Sequence, residues 1–311
     1  MQKLQAVMEY RYRKLNNLQK WYLKYTDRPA YLEYKRTLRD YNFYHFTKKL
    51  QQPVIDHPFK EITSFKHSGN SGDIIYSLPA VYELAKNGKA RFYFDVNQPA
   101  QYHHMYHPLG NVMLSEKMAT MLKPLLLHQP QIEEAEKLTS EKVDYNLDEF
   151  RNYGFFLDRG SIVKWYYYVY GISYDTSVPW LTAPIDNQYA ENIVIARSHR
   201  YRQPLIDYSF LKKYPKKLFV GVQEEYEDMK KVLPDLEFRP VNDFLELATI
   251  INSCRLFIGN QSFPFSLAEA LKANRLLETY YRAPNVIVEG KGGKDFMYQP
   301  QFEYMVKMAL R

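Results

Sequence analysis

The sequence predicts an α/β fold with two domains, each built on a mostly parallel sheet, preceded by a helical hairpin. From about residue 60 onward, short apolar or β-branched runs alternate with segments of helical period, which is typical of parallel strands covered by helices on both faces. A polar stretch at 182–192 divides these runs into two groups. A chain of 311 residues also fits two domains, since one domain usually has about 100–200 residues.

The composition excludes several classes of protein. Hydrophobic residues make up 46% of the chain and charged residues 25%, which is ordinary for a globular protein and excludes a disordered one. No apolar run approaches the roughly 18–20 residues that span a bilayer, and the first residues have no apolar signal-peptide core. The single cysteine, Cys254, excludes an internal disulfide. We therefore expect a cytoplasmic protein.

The net positive charge of the chain comes from its N-terminal segment. Residues 1–52 hold 12 Lys and Arg against 4 Asp and Glu, a net charge of +8, whereas the remainder holds 30 against 31, a net of −1. These values sum to the formal charge of +7. The sequence thus predicts a neutral body with a basic attachment, which directs attention to an acidic partner for residues 1–52.

Residues 1–52 are predicted to form two helices rich in tyrosine. The stripe of the first helix is Leu4, Met8, Leu15, Leu18, Tyr22 and Tyr25, and that of the second is Tyr31, Tyr34, Leu38 and Tyr41. Residues 26–29 supply a cap and an N-terminal proline between them. Two interpretations stay open. Periodic aromatics favour an amphipathic hairpin packed on the body, whereas basic residues between tyrosines also suit a polyanion whose bases stack on the rings.

The remaining chain is assigned to two domains, 53–185 and 186–311. In the first we predict strands at 61–66 and 91–96, a helix at 74–85, and mostly helical structure over 111–180. In the second we predict a closing helix at 295–311, which we expect to pack back on the first domain. The predicted strands of the second domain are 193–196, 218–222, 236–238, 256–258, 276–279 and 286–288.

The first of three polar loops joins the predicted strand 61–66 to the predicted helix 74–85. Its glycines allow the backbone to turn tightly, and Asp73 stands at the start of the helix with its carboxylate at the carboxyl end of the strand. Taken alone, this pattern is also that of a simple helix cap. The loop residues singled out are His67, Asn70, Ser71, Gly72 and Asp73.

The other two polar loops follow strands of the second domain. Arg197 and Arg200 are suited to a diphosphate, because guanidinium binds phosphate in a bidentate manner. Hydroxyl and amide side chains at a helix N-terminus are suited to phosphate oxygens. Glu225 is a candidate for contacts to a base or ribose. The remaining candidates in these loops are Ser198, Asn260, Gln261, Ser262 and Ser266.

Metal sites and other nucleotide-binding motifs have little support in the sequence. His103, His104 and His107 lack a companion ligand at metal spacing, so no metal site is predicted. The sequence contains no G-x-G-x-x-G and no G-x-x-x-x-G-K-[ST], which argues against a dehydrogenase or a P-loop NTPase. It also contains no Asp-x-Asp, the metal–diphosphate motif of many nucleotide-sugar enzymes.

Two segments together resemble one family. SGDIIYSLPAVYEL is similar to the G-D-[IV]-[LI]-x-[ST]-x-P-A-[LV] signature of the ADP-heptose:lipopolysaccharide heptosyltransferases, and FIGNQSFPFSLAEALKAN is similar to their F-I-G-N-D-S-G-P-M-H-L-A-A-A-L-G. The two matches occur in the family's order, and the resemblance covers about residues 60–311. It implies a GT-B fold, with two Rossmann-like domains facing each other across a cleft. The first would bind the acceptor and the second a nucleotide-sugar.

The resemblance also implies roles for residues. Asp73 matches the catalytic aspartate, which acts as general base in a metal-independent, inverting transfer, and His67 to Gly72 would form the acceptor loop. Arg197 and Arg200 would neutralise the diphosphate in place of a metal. The sequence departs from the family at Gln261, Phe263 and Ser266, where the family has Asp, Gly and His. These departures leave open which sugar and which nucleotide base the donor carries.

The sequence therefore predicts a glycosyltransferase with a nucleotide-diphosphate sugar as co-substrate and no other cofactor. Its acceptor is expected to be acidic, a glycan, lipopolysaccharide or nucleic acid, held through residues 1–52 at an anionic surface. One alternative is a DNA-base glycosyltransferase that acts on hydroxymethylated bases. Others are a non-catalytic nucleotide- or glycan-binding protein on the same fold and an assembly protein that oligomerises through the hairpin.

Overall fold

The computed structural model describes residues 14–47, 57–100 and 112–311, and the side chains of 44–47 are outside this description. By its contacts the chain divides into two compact units. One contains Met1–Asp56 and Glu149–Phe155, and the other contains His57–Asp148 and Phe156–Arg311. Leu4 and Met8 of the predicted helical stripe, and His103, His104 and His107, lie outside the described residues.

The first unit contains the predicted helical hairpin. Its helices are α1 (Asn17–Thr26) and α2 (Arg28–Thr47), which confirms the two helices predicted from the periodicity. Asn16 caps α1 by accepting a hydrogen bond from the backbone N–H of Gln19 at 2.9 Å. No residue of α1 is buried, so Tyr22 and Tyr25 do not form the inward face that their spacing suggests.

The second unit contains two separate sheets. The elements of the first sheet and its helices are β1 (Ile62–His67), α3 (Ser71–Ala85), β2 (Lys89–Phe94), α4 (Glu116–Leu127), β3 (Ile132–Lys137), β4 (Tyr145–Asn146) and α5 (Ile162–Tyr170). Those of the second are β5 (Ile193–Ala196), β6 (Lys217–Phe219), α6 (Gln223–Val232), β7 (Glu237–Phe238), α7 (Phe244–Ser253), β8 (Leu256–Asn260), α8 (Phe263–Leu271), β9 (Arg275–Glu278), β10 (Gly293–Phe296) and α9 (Gln299–Ala309). Short 3-10 turns lie at Leu147–Asn152, Asn187–Tyr189, His199–Tyr201 and Ser209–Lys213.

The first sheet has the strand order β3-β2-β1-β4, and all its pairs are parallel. The order changes direction at β1, because β2 and β3 lie on one side of it and β4 on the other. Helix α3 packs on this sheet with almost its whole length buried. In open α/β sheets such a change of direction opens a crevice at the carboxyl ends of the strands.

The second sheet has the order β10-β9-β8-β5-β6-β7 and is also parallel throughout. Its change of direction lies between β5 and β8. The loops after these two strands are those in which the sequence predicts a donor site. The expected α/β fold with parallel sheets is therefore confirmed.

Two regions differ from the sequence prediction. Residues 111–180 are not mostly helical, because β3 and β4 lie within them; the acidic run of β3 forms an edge strand with only two buried positions. Residues 286–288 are not a strand, and β10 forms from Gly293–Phe296 instead. The backbone beside 286–288 bonds to other partners: Asn285 O accepts from Ile162 N at 3.2 Å, and Glu289 N donates to Glu269 Oε1 at 3.1 Å.

The closing helix α9 packs on the second sheet. Phe302 and Val306 belong to the apolar core that also contains Ile193, Phe219 and Ile258. The Phe302 ring stacks on that of Phe296 with a centroid distance of 4.1 Å. Among the described helices, none has the length and apolar content needed to cross a membrane.

At Gly290 the backbone lies close to another segment of the second unit, at Ser177. Gly290 has φ +81°, and a Cβ at this position would lie 2.1 Å from the carbonyl oxygen of Ser177. Gly160 has a similar φ of +87°, but its nearest contact would be Trp165 Nε1 at 3.8 Å. We expect Gly160→Ala to lower the free energy of unfolding by about 1 kcal/mol through backbone strain alone. Gly290→Ala should lower it by about 2 kcal/mol more, because the clash adds to the strain.

Urea denaturation of both variants measures this difference. Equal losses would show that the 284–290 segment relaxes away from Ser177 at little cost.

Candidate functional site

Arg197 follows β5 at the change of direction of the second sheet, and its side chain is buried. Its Nε and Nη2 donate to Glu278 Oε2 and Oε1 at 2.7 and 2.8 Å, so the ion pair is bidentate. Glu278 ends β9 and is fully buried. It also accepts from the Tyr208 hydroxyl at 2.8 Å and from the Gln203 backbone N–H at 2.7 Å. Both carboxylate oxygens thus have two donors each.

This geometry argues against the predicted direct contact between Arg197 and a diphosphate. The guanidinium donates a further bond to Ile206 O at 3.3 Å and lies 4.5 Å from the centroid of the Tyr208 ring. A bidentate pair with a buried carboxylate is costly to break, because the carboxylate would remain uncompensated. Arg197 therefore has a structural role. Its ion pair with Glu278 joins the loop after β5 to the end of β9.

Asn260 and Ser198 also bind each other. The Asn260 side chain is fully buried; its Oδ1 accepts from Ser198 N at 3.0 Å and its Nδ2 donates to Ser198 O at 2.7 Å. The predicted polar contact of Asn260 with a phosphate is not supported, since both ends of its amide are engaged. The amide instead joins the loops that follow β5 and β8.

Gln261, where the resembling family has Asp, is bonded to the loop after β9. Its Oε1 accepts from Tyr280 N at 2.7 Å, and its Nε2 donates to Asn285 Oδ1 at 2.8 Å and to Ala283 O. A carboxylate has no donor for the last two contacts. Glutamine can make these bonds and aspartate cannot. Both ends of the Gln261 amide are engaged by the loop after β9, which argues against its predicted contact with the donor.

Ser262 and Ser266 lie at the start of α8 and differ in accessibility. Ser262 is the N-cap residue and half-buried, with its Oγ 3.3 Å from Asn260 O. Ser266 is fully buried and donates to Phe263 O at 2.7 Å. A Cβ at Gly72 would lie 3.8 Å from Ser266 Oγ. Ser266 thus serves the packing between α8 and α3, which argues against its predicted contact with a nucleotide-sugar.

The same contact brings the N-terminal turns of α3 and α8 together. A Cβ at Gly72 would also lie 3.9 Å from Phe263 Cα, so the two first turns pack against each other. Helix α3 follows β1 and α8 follows β8, so the carboxyl edges of the two sheets meet here. Asp73 lies one residue further along α3 and is half-buried.

The loop before α3 is tied to a buried hydrogen-bonded chain. His67 is fully buried; its Nδ1 lies 3.0 Å from Asp148 Oδ1 and its Nε2 2.8 Å from the Tyr166 hydroxyl. The Tyr166 hydroxyl donates to the carbonyl oxygen of Asp73 at 3.2 Å. Ser68 N donates to Asp148 Oδ2 at 2.9 Å. His67 is thus a buried bracing residue, which argues against direct contact with an acceptor.

The other predicted residues of this loop stay close to Asp73. Asn70 N donates to Asp73 Oδ2 at 3.2 Å, so the carboxylate also caps its own helix. Ser71 is buried, whereas Asn70 and Gly72 are partly exposed. The structure therefore brings Asn70, Ser71, Gly72 and Asp73 into one turn at the meeting point of the two sheets.

Charged side chains gather beyond the end of β5. Arg202 donates to Asp228 and, at 3.4 Å, to Arg197 O, and the Arg202 hydrogen bond lowers the pKa of Asp228. Arg200 lies with its Cζ 4.6 Å from the Tyr201 ring centroid. The buried Glu225, in the first turn of α6, accepts from His199 N at 3.2 Å. Burial raises the pKa of Glu225 to about 6, against the lowering effect of that hydrogen bond.

Two buried polar atoms at this edge have no hydrogen-bond partner among the residues that the structure describes. They are Arg202 Nε and Thr279 Oγ1, which lie beyond the carboxyl ends of β5 and β9. Buried polar groups are paired in most native proteins, and an unpaired one commonly marks a ligand or water site. The carboxyl edge of the second sheet is therefore suited to a polar ligand.

Sequence reasoning missed Asp148, Tyr166 and Asp228. Asp148 and Tyr166 lie about 80 and 100 residues from His67, and no local pattern connects them. Asp228 is one of several acidic residues on an exposed helix, where nothing distinguishes it from a solvated charge. Within the described ranges, no group of three or more His, Cys, Asp or Glu side chains is arranged to hold a metal ion.

Comparisons with known proteins give matches by structure. Searches with protein-family models and against curated protein sequences found no match. The Escherichia coli heptosyltransferase WaaC, solved with ADP, is similar over 80% of this chain and 99% of its own, with 8% identity and a TM-score of 0.53. Its structure with ADP-2-deoxy-2-fluoro heptose gives a TM-score of 0.51 at 9% identity, over 79% of this chain and 99% of that one.

A glycosyl transferase of family 9 from Veillonella parvula DSM 2008 is 15% identical over 82% of this chain and 91% of its own, with a TM-score of 0.48. At these identities the likeness establishes the fold. The GT-B-like fold that the two sequence motifs imply is confirmed, and the chain is similar in structure to heptosyltransferases.

Substitution of Arg197 distinguishes a structural role of this residue from direct ligand binding. We expect Arg197→Ala to lower the free energy of unfolding by about 3–5 kcal/mol, because Glu278 would remain charged and buried. The control Arg159→Ala removes an exposed pair with Asp158 and should leave the stability nearly unchanged, because solvent screens that pair. Thermal and urea unfolding measure both. A stable Arg197→Ala protein that fails to bind nucleoside diphosphates would instead support direct contact.

The raised pKa of Glu225 predicts that the stability of the protein depends on pH. Its raised folded-state pKa means that the native carboxyl keeps its proton to higher pH than the unfolded one. Its contribution to stability is therefore full below about pH 4.5 and is lost as pH rises through about 6. The stability of the wild type relative to Glu225→Gln should fall by about 2 kcal/mol between pH 4 and pH 7.5.

Urea unfolding over this pH range tests the Glu225 prediction. Glu224→Gln, which changes the exposed neighbouring carboxylate, is the matched control and should run parallel to the wild type. Parallel curves for Glu225→Gln as well would contradict the prediction.

Proposed function

We propose that this protein is a glycosyltransferase that moves a sugar from a nucleotide-diphosphate sugar to an acceptor hydroxyl. The observation that supports it best is the contact between the first turns of α3 and α8 at Gly72, which puts Asp73 beside the loop after β8. This occurs in a chain whose fold is similar to that of a heptosyltransferase solved with ADP and with an ADP-sugar. A half-buried carboxylate at this point is suited to act on a hydroxyl at the carboxyl edges of both sheets.

In the proposed reaction Asp73 is the general base. Its carboxylate takes the proton of the acceptor hydroxyl while that oxygen forms a bond to the anomeric carbon. The bond from this carbon to the diphosphate oxygen breaks on the opposite face, so the configuration inverts. The products are the glycosylated acceptor, a nucleoside diphosphate and the proton released from Asp73. Cationic side chains stabilise the charge that develops on the leaving diphosphate, and we propose no metal in this step.

We propose a smaller set of donor residues than the sequence alone suggests. Arg200 and Arg202 lie in the loop after β5 and are the guanidinium groups proposed for the diphosphate, with the half-buried Ser262 hydroxyl beside the start of α8. Arg197 acts through its pair with Glu278 as a positioning residue. Glu225 is proposed to face a nucleoside hydroxyl or base. The division at 53–185 and 186–311 into acceptor and donor domains is part of the same proposal.

Two alternatives keep specific support. The basic hairpin suits a nucleic acid acceptor, as in a DNA-base glycosyltransferase. A non-catalytic nucleotide-binding protein on the same fold is supported by Asn260, Gln261 and Ser266, whose polar atoms all serve internal bonds. An assembly role for the hairpin would require oligomers that depend on residues 1–52.

Asp73→Asn tests the proposed chemistry. We expect the variant to lose at least about 1,000-fold in the release of nucleoside diphosphate from the preferred sugar donor, because amide nitrogen and oxygen are poor bases. Binding of the diphosphate should persist. Thermal shift with ADP, UDP, GDP, CDP and dTDP measures binding without added metal, and chromatographic detection of the released diphosphate measures turnover.

Asp295→Asn, which changes an exposed carboxylate on the edge strand β10, is the matched control. Diphosphate binding with no turnover in wild type and variant alike would favour the non-catalytic alternative. No thermal shift with any of the five diphosphates would contradict the donor site itself.

A further inference from the structure

The loop that leads into α3 is attached to the fold through a buried histidine. His67 ends β1, where the first sheet changes direction, and its side chain has no contact with solvent. Its two ring nitrogens face different elements, because Nδ1 lies 3.0 Å from Asp148 Oδ1 and Nε2 lies 2.8 Å from the Tyr166 hydroxyl. The ring is therefore placed to join parts of the fold beneath the loop.

Asp148 holds one side of this ring. It lies two residues after β4, and its Oδ2 accepts from Ser68 N at 2.9 Å. Its own backbone N–H donates to Asn146 Oδ1 at 3.3 Å. The carboxylate thus contacts both the His67 ring and the residue that follows it. Because β1 and β4 are paired strands, these contacts fix the start of the loop relative to the first sheet.

Tyr166 connects the other side of the ring to Asp73. It lies in α5, and its side chain is fully buried. Its ring meets that of His67 edge to face, with a centroid distance of 5.9 Å. Its hydroxyl donates to the carbonyl oxygen of Asp73 at 3.2 Å. A tyrosine hydroxyl has one hydrogen, so in this arrangement His67 Nε2 carries a hydrogen and donates to the tyrosine oxygen.

The last bond of this chain ends on the main chain of the proposed base. The carbonyl of Asp73 lies in the first turn of α3, and the same residue carries the carboxylate. Other bonds of this turn act at other atoms. Asn70 N donates to Asp73 Oδ2 at 3.2 Å, and Trp180 Nε1 donates to Ile75 O at 3.1 Å. The Tyr166 bond limits rotation of the peptide from which the Asp73 side chain projects.

We propose that Tyr166 and His67 are positioning residues for Asp73. The bonds from Asp148 through His67 and Tyr166 fix the main chain of Asp73, and this main chain directs the carboxylate towards the acceptor hydroxyl. The inference rests on the proposed role of Asp73 as general base. Neither Tyr166 nor His67 touches the substrate, and each changes the rate through the orientation of the base. A displacement of about 1 Å can lower a catalytic rate about 100-fold, so the loss of this bond has a measurable effect.

Hydrogen exchange of the full-length protein tests the structural part of the proposal without any substrate. Tyr166→Phe keeps the ring and removes the hydroxyl. We expect the amides of residues 70–77 to exchange about tenfold faster in this variant, because the bond to the main chain of Asp73 is lost. The amides of α9 should exchange as in the wild type. Tyr168→Phe, at an exposed position of the same helix, is the matched control and should leave residues 70–77 unchanged.

Kinetics test the catalytic part, with the sugar donor that the wild type turns over fastest. Tyr166→Phe should lower kcat for release of the nucleoside diphosphate about 10- to 100-fold and leave the KM of the donor within about twofold. Rates are divided by the number of diphosphate sites counted by calorimetry, so unfolded protein does not contribute. His67→Gln, whose amide can still donate to the tyrosine oxygen, should retain more of kcat than His67→Met, which has no such donor.

A double substitution separates positioning of the base from a general effect on the fold. In an Asp73→Asn background the base is absent, so Tyr166→Phe should change the residual rate by less than about twofold. A residue that only supports the fold would lower the rate by the same factor in both backgrounds.

The results distinguish this inference from the proposed function. A wild type that binds and turns over no donor would overturn both. Normal turnover by the wild type with an unchanged kcat in Tyr166→Phe would overturn the positioning role alone. Equal rate losses in the two backgrounds, or unchanged exchange of residues 70–77, would also overturn it and leave the proposed function intact.

Discussion

The buried ion pair between Arg197 and Glu278 is the interaction on which the carboxyl edge of the second sheet depends. Arg197 directly follows β5 and Glu278 ends β9; these strands are not neighbours, because β8 lies between them. Glu278 has no contact with solvent, so its charge is balanced by Arg197 and by donors from Tyr208 and Gln203. Arg197 and Glu278 are 81 residues apart in sequence, and their pairing holds the two loops in one arrangement.

Side-chain amides extend this arrangement. Asn260 joins the loops after β5 and β8 through Ser198, and Gln261 joins the loop after β8 to residues 280–285. Asn285 in turn donates to Leu157 O at 2.8 Å. Asn260 and Gln261 lie in a loop where the sequence predicts ligand contacts, but their side chains hold the backbone of neighbouring loops.

Further hydrogen bonds bear on the backbone at Asp73. Trp180 Nε1 donates to Ile75 O at 3.1 Å, in the helix that begins beside Asp73. Tyr166 donates to the carbonyl oxygen of Asp73 and is itself bonded to His67. These bonds fix the backbone at the start of the helix, so the general base that we propose at Asp73 would need little reorganisation. The fold and the proposed chemistry are consistent at this point.

The sequence by itself determined the parallel α/β organisation, the separate basic hairpin, and the two strand–loop–helix segments that contain Asp73 and Ser262. Each of these depends on local periodicity, on glycine and capping residues, or on the distribution of charge, and all of them are readable along the chain. The edge strand β3 was missed because its acidic residues mask the apolar alternation, and residues 286–288 have the composition of a strand without its position in the sheet.

Only the tertiary structure decided which of the polar residues in these loops serve the fold. Arg197, Asn260 and Ser266 have the chemistry of ligand-binding residues, but Glu278, Ser198 and Phe263 engage them. His67 is engaged by Asp148 and Tyr166, which lie far away in sequence. The reason is physical: a buried polar group must find its partner in three dimensions, and residue type and spacing do not contain that pairing.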